Sequence, residues 1–232
     1  MPLRALCFDL DDTLWPCKPV ISHAEQVLYD WLSKYYPRLT QEFSLEALGT
    51  MRQRATEMHP HLRHDLTTLR KWSLAQAAAH VGLSDSLVEP AFEVFMTARH
   101  QVNLYDDVLP VLEKLHQHYI LCVLTNGNAD VRRIGLGHLF DVILFAREVG
   151  AAKPHSAIFE AACQYAKAEP AQMVHVGDDA ICDIAGAAAV GMRTVWINRD
   201  QKTWSGTPTP DATITSLTEL ELSLELFNQA EF

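Results

Sequence analysis

Five short, predominantly apolar runs without alternation, at residues 3–8, 119–124, 141–145, 173–176 and 194–197, restrict the fold of this chain more than any other feature. Helix-like segments separate the later runs, at 108–117, 128–136, 155–166 and 180–190. Gly191 follows the last of these as a C-terminal stop. Strands that are apolar throughout, rather than alternating, are buried on both faces. In regular alternation with helices they predict an α/β protein with a doubly wound parallel sheet.

One long stretch, about 16–101, breaks the alternation and contains no strand pattern. Ile21, Ala24, Leu28, Trp31 and Leu32 share a helix face; Leu45, Leu48, Met51 and Ala55 mark a second helix. Leu66, Leu69, Ala77 and Val81 mark a third, and Leu87, Ala91, Phe95 and Met96 a fourth. The division expected is a catalytic α/β core of 1–15 and 102–232 with a helical cap domain of 16–101 inserted after the first strand. Residues 201–210, with two prolines, read as a surface loop before a short final strand.

At 232 residues and 48% hydrophobic, the chain can bury one substantial core plus an insertion. Its net charge of −10 argues against a broad nucleic-acid or anionic-membrane surface. No apolar stretch reaches the roughly 18 residues that cross a bilayer, and the N-terminus lacks a signal-peptide pattern. The five cysteines have no CxxC spacing, and Cys7 and Cys122 sit in apolar runs, which suggests buried thiols in a reducing cytoplasm. A monomer or homodimer is expected.

Ligands of open parallel sheets bind beyond the carboxyl ends of the strands. There this chain collects Asp9 and Asp11 after the first strand, Thr125-Asn126-Gly127 after the second and Gly177-Asp178-Asp179 after the fourth. Lys153 follows the third. Crowded carboxylates repel one another and are tolerated chiefly around a hard cation. An all-oxygen set favours magnesium over zinc, with manganese left open. A cation plus one lysine suits a phosphoryl group, whose charge lies on its equatorial oxygens.

Taken in order, Asp9-x-Asp11-x-Thr13, Thr125, Lys153 and Gly177-Asp178-Asp179-x-x-x-Asp183 resemble the four motifs of the haloacid dehalogenase superfamily of hydrolases. The resemblance spans nearly the whole chain, including the helical insert. It implies a Mg2+-dependent phosphatase acting on a small phosphorylated metabolite. Asp9 would be the nucleophile, forming an aspartyl-phosphate. Asp11 would act as general acid and then general base. Thr125, Asn126 and Lys153 would hold the phosphoryl oxygens. The metal set would come from Asp9, the Asp11 carbonyl and Asp178, with Asp179 and Asp183 orienting its waters and Lys153. Which of Asp179 and Asp183 stands nearer the metal is open, and Thr13 is expected to brace the turn.

Three alternatives share this fold. A 2-haloacid dehalogenase needs no acid for a halide leaving group and typically lacks an aspartate at the Asp11 position. A sugar phosphomutase differs in the second acceptor, and a non-catalytic binding protein would not require the full acidic set. In this superfamily a helical cap closes over the site and supplies specificity. The polar stretch 59–70 offers Arg63, His64 and Arg70 as substrate contacts, or a solvated loop in which Asp65 or Thr67 caps the next helix. His59, His61 and His64 match no usual zinc spacing. Trp15 reads as a wall of the leaving-group pocket or as hinge packing. The opening Phe8-Asp9-Leu10-Asp11-Asp12-Thr13-Leu14-Trp15, the Arg70 segment and the run 147–154 look similar to bacterial flavin-pathway phosphatases. Those act on phosphoribitylaminouracil and flavin mononucleotide, which would place the chain in riboflavin biosynthesis.

Overall fold

The computed structural model describes residues 2–229. Six strands form one sheet: β1 (Ala5–Phe8), β2 (Ile120–Thr125), β3 (Val142–Phe145), β4 (Met173–Gly177), β5 (Arg193–Ile197) and β6 (Ala212–Ile214). Their order is β3-β2-β1-β4-β5-β6, and every pairing is parallel. This is the α/β architecture expected from the apolar runs. β1 and β4 are buried along their whole length, as strands covered on both faces by helices must be. In register, Cys7 lies beside Cys122 on one side and His175 on the other. Strand order reverses direction at β1, so the loops after β1, β2 and β4 converge at the switch point.

The strands begin and end within a residue or two of the apolar runs, but two helical segments differ from the sequence pattern. The expected helix at 128–136 shrinks to Val131–Ile134, because Gly135 takes a positive φ of 96°. The expected helix at 180–190 divides into a π-helical turn, Ala180–Ala185, and a short α-helix, Gly186–Ala189. The Asp179 carbonyl accepts from both Asp183 and Ile184 N–H groups, widening the turn by one residue. Gly191, at φ 87°, closes the segment.

The chain divides into two compact units. One comprises residues 1–16, 103–127 and 135–232; the other comprises 17–102 and 128–134. The second is helical, built on Cys17–Tyr35, Leu45–Met58, Leu66–His80 and Val88–Arg99. Its core packs Ala24, Leu28, Leu32, Leu74, Ala77 and Phe95. Each large apolar side chain buried there contributes about 1.5–3 kcal/mol. Leu66, placed by periodicity on the packing face, is instead 41% exposed at the first helical position after the cap. Residues 128–134 belong to this unit through Asp130 N–H, which donates to His100 Nε2 at 2.9 Å, and an Arg133–Glu93 ion pair at 2.6 Å. None of the five cysteines forms a disulfide.

Candidate active site

The residues that follow β1 turn back on themselves at once. Leu14 N–H donates to the Leu10 carbonyl at 2.8 Å, and Asp12 N–H to the Trp15 carbonyl at 2.8 Å. Asp12 sits at φ 60°, a left-handed conformation that aspartate tolerates better than most residues. Three distant groups hold this turn. Tyr105 N–H donates to the Leu14 carbonyl at 3.1 Å, and Arg199 donates through Nε and Nη2 to the Thr13 carbonyl at 3.1 and 3.0 Å. The Arg199 guanidinium lies 3.8 Å over the Tyr105 ring and pairs with Asp107. Burial pushes the Asp107 carboxyl up, but donors from Arg199, Ser216 and Leu217 outweigh it and hold the group below its ordinary value. Thr13 braces the turn with its backbone; its Oγ1 has no partner among the described residues.

Lys153 is the electrostatic centre of the site. Only 4% exposed, it places Nζ 2.6 Å from Asp9 Oδ1 and 2.7 Å from Asp183 Oδ1. Burial opposes the ammonium charge, yet these carboxylates raise its pKa above the ordinary lysine value. The Asn126 side chain clamps the Lys153 backbone from both sides. Its Nδ2 donates to the Lys153 carbonyl at 2.9 Å, and its Oδ1 accepts from the Lys153 N–H at 2.8 Å. Thr125 is buried at the end of β2, and its Oγ1 accepts from Gly127 N–H at 2.9 Å.

Asp183 and Asp179 differ in what they do. Asp183 is fully buried and saturated: Lys153 and His175 share Oδ1, and Asp179 N–H donates to Oδ2 at 3.0 Å. Asp179 is exposed and caps the π-helical turn, its Oδ1 accepting from Ile181 and Cys182 N–H groups. Of the two, Asp183 falls in the carboxylate cluster: oxygens of Asp9, Asp178 and Asp183 lie within 4.8 Å of one another. Asp179 is in no such group among the described residues. Gly177 makes room for this packing, since a Cβ there would stand 2.3 Å from Asp183 Cγ. Gly177→Ala is therefore expected to destabilise the fold by about 1–3 kcal/mol, read from urea unfolding midpoints; a neutral effect would contradict the close approach.

His175 is the site residue that periodicity did not reveal. It is fully buried in β4, and its Nε2 lies 2.9 Å from Asp183 Oδ1. An ionised carboxylate only accepts, so Nε2 carries the hydrogen. Burial lowers the His175 pKa, which keeps the ring neutral. The available signal was one polar residue inside an otherwise apolar strand, two positions before Gly177.

With one lysine among three carboxylates, full ionisation would leave the set net negative. Burial and then the neighbouring Asp183, Asp12 and Asp179 push Asp178 up to about 7. Trp196 Nε1 fixes the Asp178 backbone by donating to its carbonyl at 2.8 Å. Cys182 is pushed up to about 12 by burial and by Asp179 and Asp183, so it stays a thiol. The crowded oxygens of Asp9 and Asp178 fit a hard divalent cation, which would relieve their repulsion. Without a cation, the folded chain keeps a proton on Asp178 that the unfolded chain releases, so stability falls as pH rises from about 4 to about 7. The Tm increase on adding magnesium is thus expected to be larger near pH 8 than near pH 5 and to disappear in Asp178→Asn. Equal increases at both pH values, or an unchanged increase in the variant, would contradict this.

The remaining candidates make the following contacts within their own units. Trp15 has no exposed surface, and its Nε1 donates to Asp11 Oδ1 at 2.9 Å. In the helical unit, Arg70 is 9% exposed, lies 3.5 Å over the Phe95 ring and pairs with Glu25, as does Arg52. Arg63 is exposed beside the 3₁₀ turn Pro60–Leu62, His64 is half-buried, and Asp65 caps the following helix by accepting from Thr68 N–H at 2.9 Å. No helix among the described residues is long and apolar enough to cross a membrane.

The parallel sheet thus presents a buried lysine between Asp9, after β1, and Asp183, in the turn that follows β4, with a buried threonine at the end of β2. Residues 3–191 match the family model of haloacid dehalogenase-like hydrolases, and the chain belongs to that family. It is 32% identical over 226 residues to the 5-amino-6-(5-phospho-D-ribitylamino)uracil phosphatase YigB of Escherichia coli (strain K12), covering 94% of each chain. Among solved structures it is similar to a 2-haloacid dehalogenase from Pseudomonas syringae pv. Tomato DC3000. That likeness has a TM-score of 0.92 and 40% identity, covering 97% of this chain and 99% of the other. A HAD phosphatase from Thermococcus onnurineus aligns with a TM-score of 0.70 and 30% identity, covering 96% and 98%.

Proposed function

We propose that this chain hydrolyses small phosphate monoesters with bound Mg2+ through an aspartyl-phosphate on Asp9. The observation that carries the reading is Asp11, a carboxyl two residues after the nucleophile and held in place by a hydrogen bond. Asp9 attacks phosphorus as the P–O bond to the alcohol breaks, and the Asp11 carboxylic acid gives its proton to the departing alkoxide. Asp11, now a carboxylate, takes a proton from water as the water oxygen attacks phosphorus. The Asp9–phosphorus bond then breaks and inorganic phosphate leaves. Lys153 neutralises developing charge on the phosphoryl oxygens, and Thr125 and the Asn126 N–H complete their contacts. Mg2+, held by Asp9, Asp178 and the Asp11 carbonyl, would supply further charge neutralisation. Asp183 and His175 keep Lys153 in position, so neither needs to meet the substrate.

Phosphoribitylaminouracil, the substrate named for the similar Escherichia coli phosphatase, and flavin mononucleotide, from the likeness in motif sequence, are the leading substrates. The likeness to the Pseudomonas syringae 2-haloacid dehalogenase favours a second reading, dehalogenation. A halide departs unprotonated, so that chemistry needs no general acid and leaves Asp11 without its first role. Phosphate release should be measured over a panel of phosphate esters with magnesium, in parallel with halide release from 2-chloropropionate. The expected result is magnesium-dependent phosphate release that is fastest on the flavin-pathway esters. Halide release without magnesium would overturn the phosphatase reading; equal, slow rates on flavin mononucleotide and unrelated sugar phosphates would overturn the substrate.

A further inference from the structure

The indole N–H of Trp15 donates to the carboxylate of Asp11. The Nε1 to Oδ1 distance is 2.9 Å, and the indole is completely buried. We infer that Trp15 is a positioning residue for the acid–base carboxyl: its indole N–H holds Asp11 Oδ1 and thereby fixes the direction in which the carboxyl faces. This rests on the phosphatase reading above and adds a residue to it.

An indole nitrogen donates and cannot accept. A donor fixed on Oδ1 restricts rotation of the carboxyl, so the group keeps one orientation. A general acid gains from this, because only one of its rotational arrangements delivers a proton to a given alkoxide. Trp15 can act as a fixed reference point because its own place is over-determined. Its carbonyl accepts from Asp12 N–H at 2.8 Å, and Asp11 and Trp15 form an isolated β-bridge across the turn. The preceding carbonyls, Thr13 and Leu14, are gripped by Arg199 and by Tyr105 N–H. Phenylalanine at position 15 would retain an aromatic body in the buried space but could not hold Asp11.

The consequence separates two kinds of substrate. An alkyl phosphate needs a proton on its departing alkoxide, whereas p-nitrophenyl phosphate expels a stabilised phenolate that needs little acid assistance. Both need Asp11 as base in the second step. In Trp15→Phe, kcat on an alkyl phosphate that the wild-type chain hydrolyses is expected to fall ~10–100-fold. First-turnover release of p-nitrophenol should stay within about threefold of wild type, while later turnovers slow. Stopped-flow traces should therefore show a burst approaching one p-nitrophenol per site, as the aspartyl-phosphate accumulates. A purely structural loss would depress both first-turnover rates together. The same assay on full-length protein carrying benzothienylalanine at position 15, which replaces the indole N–H by sulfur with little change of shape, covers the case in which Trp15→Phe misfolds.

Unchanged alkyl phosphate turnover in either folded variant would overturn the inference. So would an equal drop in first-turnover rate on both esters. Wild-type protein that hydrolyses neither ester would remove the phosphatase reading itself, whereas an active wild type with indifferent variants removes only the role of Trp15.

Discussion

Asp9→Asn is expected to abolish turnover, lowering kcat by ~10,000-fold or more, because the amide cannot form the acyl-phosphate that divides the displacement into two steps. The same change should leave the fold intact. Burial raises the Asp9 pKa, Lys153 opposes that rise, and Asp183 adds repulsion. Removing the charge therefore relieves a desolvated carboxylate, and Lys153 retains Asp183 at 2.7 Å. Thermal unfolding should show a Tm equal to or above that of wild type. Phosphatase activity within tenfold of wild type in a homogeneous preparation would rule out the proposed nucleophile.

Lys153→Met should damage both catalysis and stability. The kcat loss is expected at about 100–1,000-fold, the range for removing one group that stabilises developing charge. The stability loss is expected at about 3–5 kcal/mol, because Asp9 and Asp183 would remain buried without their cation. The pH dependence identifies the cause. Burial alone would raise the Asp183 pKa, but Lys153 and His175 outweigh it and hold the carboxyl well below the usual range. A depressed acid contributes stability that is present above its unfolded pKa, about 4, and is lost as pH falls through the folded value. Without Lys153 that contribution disappears, and protonation near pH 5 relieves the buried charges. The Tm deficit of the variant should accordingly shrink between about pH 7.5 and about pH 5. A deficit that grows toward acid, or a variant as stable as wild type near pH 7.5, would show that Lys153 is not the counter-charge of this cluster.

Much of the architecture was legible because strand burial writes itself into composition. The runs at β1, β2 and β4 are apolar without alternation, and their ends carry Asp9, Thr125 and Gly177-Asp178. The inserted helices showed through the spacing of Ala24, Leu28 and Leu32. Other features were not legible because they depend on contacts between distant positions. The helix expected at 128–136 stops at Gly135, and its segment groups with the helical unit through His100 and Glu93. Arg70 reads as a polar candidate in sequence, yet Phe95 and Glu25 receive its guanidinium within that unit.

The sequence by itself determined the order of elements and the chemical inventory at the strand ends, since both follow from local periodicity and residue type. Tertiary structure alone decided how that inventory is shared. Asp179 and Asp183 lie in one motif, but a widened π-helical turn buries Asp183 against Lys153 and His175 while Asp179 caps the turn at the surface. His175 became part of the site because β4 runs beside β1, and Trp15 because a reversed turn aims its indole N–H at Asp11. Hydrogen bonds of this kind depend on direction over about 3 Å, and no pattern along a chain specifies direction.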